Sequence, residues 1–317
     1  MSSHRRATAM GTLLVAMILI MAGPGSGGET YLSREILFAP WGQQPGEFGL
    51  LEQAEGVGPQ SLSLDAAGNV YVLDLVNRRV QIFGPRGEFL GHTACGILAH
   101  DLSVGSQGEL FLLAPYHGLI EKYDAQGDLQ DRWPISQDIW LIDGMRVTNG
   151  QVFLRTVMQT EYSITGAKGA LEPAAQLNSL RQGFGGADPA RRYRTQWKGE
   201  HRGSLLYLDQ NGQQVLDVEV TTPEMLGSLV FLGTDGEGNV YLRAEILEPE
   251  QSSRLNIYKF DPQGTLLAKL AISSSDYTFI YRSLYLDQNG DLFQLLTGTD
   301  GVRVLQWSPT GGPGEGQ

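Results

Sequence analysis

His92, Cys95 and His100 are spaced HxxC-x4-H, His117 follows close behind, and Cys95 is the only cysteine of the chain. Imidazole and thiolate are ligands of Zn²⁺, so these four side chains form a candidate metal set. The sequence has no second CxxC or HxxxH clamp beside them, and the expectation is no cofactor, with Zn²⁺ or Ca²⁺ as the alternative. A second set, Gln60, His100, Asp101, Asp143 and Arg282, falls at two adjacent positions of a repeat. Such carboxylate, imidazole and guanidinium groups, brought to one point, could take a small polar ligand. A third set is basic: Arg191, Arg192, Arg194 and Arg202, with Lys198 and His201 among them. It reads either as a docking patch for an acidic partner or anionic glycan, or as a solvated edge. The chain shows no G-x-S-x-G elbow, no P-loop and no dinucleotide fingerprint after a strand.

The elements that must position these residues are short strands. The segments DAAGNVYV (65–72), GSQGELFL (105–112), VTNGQVFL (147–154), DGEGNVYL (235–242) and DQNGDLFQ (287–294) each carry a turn glycine followed by alternating apolar residues. That is the signature of an antiparallel hairpin. A second series, with glycines at 87, 127, 169, 212, 264 and 311, marks a second hairpin in each unit. Four strands in roughly forty residues make one propeller blade, and the second series counts six. The gap between Gly150 and Gly238 is then a worn blade, with Ser204–Val220 keeping its last two strands and 190–197 alternating as an earlier one. Five blades with an insertion is the alternative. The expected fold is therefore all-β: a six-bladed β-propeller of four-stranded antiparallel blades.

The last unit ends after three strands, and Arg34–Pro40 (REILFAP) has the alternation of the missing outer one. The expectation is a ring closed by this N-terminal strand, with Ile36 and Phe38 antiparallel to Val302–Trp307. Label the strands a to d from the channel outward. The d–a and b–c connections then share one face, here called the top, and the a–b and c–d hairpins lie below. The irregular loops fall on top, where binding usually resides on a rigid repeat. Counting back from each a–b glycine places the second set at the channel mouth.

The stretch Gly58–Leu90, GPQSLSLDAAGNVYVLDLVNRRVQIFGPRGEFL, resembles an NHL repeat, whose pattern is carried by Gly46, Phe48, Pro59, Gly68–Tyr71, Asp74, Asn77, Arg79, Val80 and Phe83. The match is strong in the first unit, fair in the second, fifth and sixth, and poor in the third and fourth. The resemblance implies a six-bladed propeller without fixing one function, since such propellers serve as adaptors, ligand binders, lactonases and lyases.

Met1–Gly28 has a basic start (His4, Arg5, Arg6) and a charge-free apolar run, Gly11–Gly23. This reads as a secretory signal peptide. Residues 29–308 would form the single domain and 309–317 a flexible tail, in a periplasmic or extracellular protein; an uncleaved signal anchor is the alternative. Removing Arg5 and Arg6 from 23 Lys and Arg leaves 21 against 35 Asp and Glu, a body that repels nucleic acid. One cysteine allows no intramolecular disulfide. These features point to an exported, non-enzymatic propeller that binds a protein partner or small ligand through its top face. The alternative is a metal-dependent lactonase- or lyase-type enzyme working at the channel mouth.

Overall fold

The hairpins share one local chemistry. The Asp65 carboxylate accepts the amide hydrogens of Ala67 and Asn69, each at 2.9 Å, while Gly68 takes φ +80° and donates to the Asp65 carbonyl at 3.1 Å. Asp235 and Asp287 repeat this in other a–b turns, and Asp124, Asp209 and Asp261 in c–d turns. An aspartate at the first position satisfies the turn amides, and the glycine supplies the left-handed backbone. Alternating apolar residues then continue as strands on either side.

A computed structural model describes residues 29–310 apart from 53–55, 137, 138, 140, 149, 166–169, 172–182, 249–252 and 274–276. The proposed signal segment, the marker glycines 169 and 311, and the end of the tail lie outside the described residues. The strands form six four-stranded antiparallel sheets arranged as a six-bladed β-propeller. No helix among the described residues is long and apolar enough to cross a membrane.

Blade six joins strand a (Leu284–Leu286), strand b (Leu292–Gly298) and strand c (Gly301–Thr310) to strand d, Thr30–Pro40, from the other end of the chain. Phe38 faces Arg303 and Leu37 faces Val304, so the expected closure is present. Ile36 sits at a bulge between Glu35 and Leu37. Both closing strands are longer than the sequence pattern suggests, because Tyr31 pairs with Pro309 and Thr30 with Thr310. Pro309 is tolerated because strand b ends its pairing at Trp307, so the missing N–H faces no strand. Gly87, in blade one's c–d hairpin at φ +81°, lies so near the Ile36 carbonyl that a Cβ would collide with it.

The worn blade is a complete sheet, which excludes the five-bladed alternative: Phe184–Gly185, Arg192–Gly199, Arg202–Leu208 and Gln214–Thr221. Its innermost strand has only two residues. The interface with blade five compensates through stacked rings, with Tyr193 and Phe184 lying 5.0 and 6.0 Å from Phe231. Apolar clusters fill the other inter-blade seams; Leu73, Leu102, Leu110 and Leu112, for example, join blades one and two.

Candidate functional site at the channel mouth

Strand a of blade two (Asp101–Val104) begins with a carboxylate buried at the channel wall. Asp101 Oδ1 accepts from Ser61 Oγ at 2.6 Å and from the Leu102 amide at 2.9 Å; Oδ2 accepts from the Met145 amide at 2.9 Å. Arg282, entering strand a of blade six, completes the arrangement: its Nη2 is 2.8 Å from Asp101 Oδ1 and also donates to the Leu102 carbonyl. Nε reaches Ser61 Oγ at 3.3 Å and Nη1 the Met145 carbonyl at 3.4 Å. One guanidinium thus joins blade six to blades one, two and three. Its donors are largely spent on the protein, as charged groups taken from water require.

Asp143 stands beside this hub in strand a of blade three (Ile142–Thr148) and is exposed. Its surroundings raise its pKa, chiefly by desolvation, with the Arg155 charge opposing. Arg155 ends strand b of the same blade (Gln151–Thr156), stacks 4.1 Å over the Phe184 ring and donates from Nη2 to the Phe231 carbonyl at 2.8 Å. It therefore spans the place where blade four's inner strand is short. The side chain of Arg243, in strand b of blade five (Val240–Leu247), enters no hydrogen bond or ion pair with a described residue, although Glu245 and Asp143 act on it at longer range. The Nε atoms of Arg155 and Arg243 are both buried without an acceptor. Burial lowers both guanidinium pKa values.

Aromatic groups complete the mouth. Tyr281 donates to the Ile142 carbonyl at 2.8 Å, reaching from blade six to blade three. The His100 ring lies between Tyr116 and Tyr281, at 4.9 and 6.0 Å, with Nδ1 buried and unpartnered. Burial, then neighbouring His117, lowers its pKa, so His100 is a neutral imidazole.

Of the residues singled out by sequence, His100, Asp101, Asp143 and Arg282 come together at the channel. Gln60 does not offer its side chain: Nε2 donates to the Gly58 and Phe279 carbonyls, both at 3.1 Å, and latches blade one to the blade six entry. The metal set is divided. His92 lies on outer strand d of blade one, stacked on Phe89, while His100 lies at an inner strand. Three strand spacings, about 14 Å, separate the inner and outer strands of a blade. Burial pushes the Cys95 thiol up to about 12, with the Glu121 and Asp74 charges adding to it. Among the described residues no three His, Cys, Asp or Glu side chains are grouped to hold a metal. Asp101 is already spent on four donors.

The basic set is also divided. Arg191 lies in the a–b turn on the bottom face and donates to the Pro262 carbonyl at 2.6 Å. Arg192 pairs with buried Glu161 of blade three, which Arg146 also binds at 2.7 Å. Arg194 points from the same strand, and Arg202 is exposed at the opposite, top end. A strand of eight residues rising about 3.3 Å each carries these charges from one face to the other, so they form no single patch. Asp74, Asn77 and Arg79 hold the chain instead. Arg79 donates to the Gln43, Gln44 and Glu47 carbonyls and pairs with Asp74 at 3.0 Å, clasping the segment that leads out of the closing strand.

The sequence reading missed Arg155 and Arg243, although a signal was present. Five residues after each a–b glycine the repeat places Leu73, Leu113 and Leu295, all buried; blades three and five have arginine there. The mouth is also rimmed by exposed apolar side chains on the top loops: Leu98, Tyr116, Leu141, Met158, Tyr277 and Phe279. Among the described residues none of the large exposed hydrophobics lies in an a–b or c–d turn.

No protein-family model matches the chain, and no curated protein matches it in sequence. Solved structures do. A member of the DUF4221 family from Bacteroides vulgatus is 10% identical, with a TM-score of 0.52 over 93% of this chain and 98% of that one. A gluconolactonase from Xanthomonas campestris is 14% identical, with a TM-score of 0.50 over 89% and 90%. A streptogramin B lyase is 11% identical, with a TM-score of 0.47 over 88% and 98%. For the first two the likeness is one of fold, and the fold it supports is the six-bladed β-propeller.

Proposed function

We propose that the protein is an exported, non-enzymatic binding module whose top face takes a protein partner. The observation that carries this reading is the set of strongly exposed apolar side chains on the top-face loops, beside the smaller set, Leu90 and Val215 among them, at the lower ends of outer strands. Tyr116, Met158 and Phe279 are 83%, 67% and 57% exposed on top-face loops, whereas the described bottom turns present no such side chain. Apolar groups gathered on one face of a soluble scaffold mark an interaction surface. Beneath them lie Arg155 and Arg243, whose Nε atoms lack an acceptor and would receive an acidic group of the partner.

The test is affinity capture from envelope extracts, comparing the native chain with a Met158→Glu, Phe279→Ser double variant. Both side chains are exposed, so the variant should keep its melting temperature. The expected result is a discrete partner retained by the native protein and lost by the variant. Identical captured proteins from both would remove the top face from the proposal.

A further inference from the structure

We infer that Arg155 and Arg243 form a receptor for a carboxylate group inside the channel mouth. This rests on the binding-module reading and names the chemistry that the site would recognise. The argument begins with the repeat. At the position where blades one, two and six bury leucine, blades three and five place a half-buried arginine whose Nε atom is out of solvent. A leucine there would pack the seam without cost, whereas a guanidinium must be taken from water and given acceptors. For Arg282 the protein supplies them: a carboxylate, a hydroxyl and two carbonyls. For Arg155 it supplies one carbonyl and an aromatic face, and for Arg243 no hydrogen-bond acceptor among the described residues.

The two arginines flank blade four, whose inner strand is the shortest of the described inner strands. Arg155 is bonded to Phe231, next in sequence to Val230, the residue paired with Arg243. Asp143 is coupled electrostatically to both. Around these two cations stand Asp143 and Glu245, whereas Asp101 is neutralised by Arg282. Neither carboxylate forms an ion pair with Arg155 or Arg243 among the described residues, both Nε atoms lack an acceptor, and planar guanidiniums with free donors match a carboxylate. Tyr116 and the apolar rim above would accommodate the rest of the ligand. A free organic acid and an acidic side chain of a protein partner share this chemistry.

The experiment uses purified chain lacking Met1–Gly28, with citrate, succinate and the neutral control succinamide in calorimetric titration and thermal melts. It adds two amidated peptides that differ only by one Glu or Gln among apolar residues. Arg243→Leu restores the repeat's own residue and should fold at least as stably as the native chain. The expected result is saturable binding of a carboxylate probe, weakened at least tenfold in Arg243→Leu and tightened in Asp143→Asn. Binding of citrate or succinate identifies a free acid as the source; preference for the Glu peptide alone identifies a side chain of the partner. If the native chain binds no carboxylate probe, or Arg243→Leu binds it equally well, the receptor is overturned. A partner lost by the Met158 and Phe279 variant would still stand in that event.

Discussion

Arg282 Nη2 lies 2.8 Å from Asp101 Oδ1, and the carboxylate it meets has no solvent-exposed surface. This contact joins the last blade to the second, while Ser61 and Met145 tie in the first and third. The pair is a hub of the ring rather than an open ligand site. Replacing Arg282 by Met would leave the Asp101 charge buried without its counterion. We expect a loss of about 3 kcal/mol in unfolding free energy, allowing for the partial exposure of Arg282. Urea denaturation measures it; a loss below about 1 kcal/mol would show that the hub is dispensable.

Closure predicts a contrast between two glycines. Gly87 and Gly150 both have positive φ, +81° and +73°, but only Gly87 abuts the closing strand; a Cβ on Gly150 would meet nothing within 4 Å. Gly150→Ala should therefore cost only the left-handed backbone penalty, about 1 kcal/mol. Gly87→Ala should cost at least about 1 kcal/mol more, because the closing strand must shift. Equal melting temperatures for the two variants would contradict the close approach.

The pH response of His100 follows from its lowered pKa. Burial keeps the imidazole neutral in the fold, while in the unfolded chain it takes a proton near its ordinary value of about 6.5. Acidification through that range therefore favours the unfolded state. In His100→Gln this contribution is removed, and the fall in melting temperature between pH 7.5 and pH 5 should be smaller than in the native chain.

Asp143 has the opposite sign. Its pKa is raised by the partly desolvating surroundings, with the Arg155 charge opposing, so the fold favours the protonated acid, and that contribution is lost as pH rises through the folded value. Asp143→Asn should be the more stable protein at pH 7 and should lose that advantage near pH 3. Parallel melts at the two pH values check this; a variant less stable at pH 7 would mean that Arg155 depends on the charge of Asp143.

Cys95 should be inert. With its thiol pushed up to about 12, it exposes almost no thiolate at pH 8. Reaction with a disulfide reagent should be slow in the native protein and fast in denaturant.

The Asp-x-x-Gly turns made the hairpins legible, because a turn needing positive φ leaves few choices of residue. Blade six could likewise be closed on paper, since Arg34–Pro40 carried the missing alternation. Within the site, the positions of Asp101 and Arg282 followed from the count back from each glycine. Their mutual neutralisation did not, because it depends on side chains crossing the channel from different blades. Grouping His92 with His100 failed for a related reason: close spacing in sequence ignored the width of a sheet. Arg155 and Arg243 were hidden by treating the repeat as a ruler for glycines alone; its buried leucine positions held the same information.

The pairing of Thr30–Pro40 with Gly301–Thr310 also sets an order in time. The first described strand to be synthesised waits for the last before either has its full complement of hydrogen bonds. A prematurely ended chain can build internal sheets but cannot close the circle, so a free edge reports an unfinished product. Closure of the ring thus waits until Gly301–Thr310 has been made, and a chain cut short of that strand leaves Thr30–Pro40 without its partner.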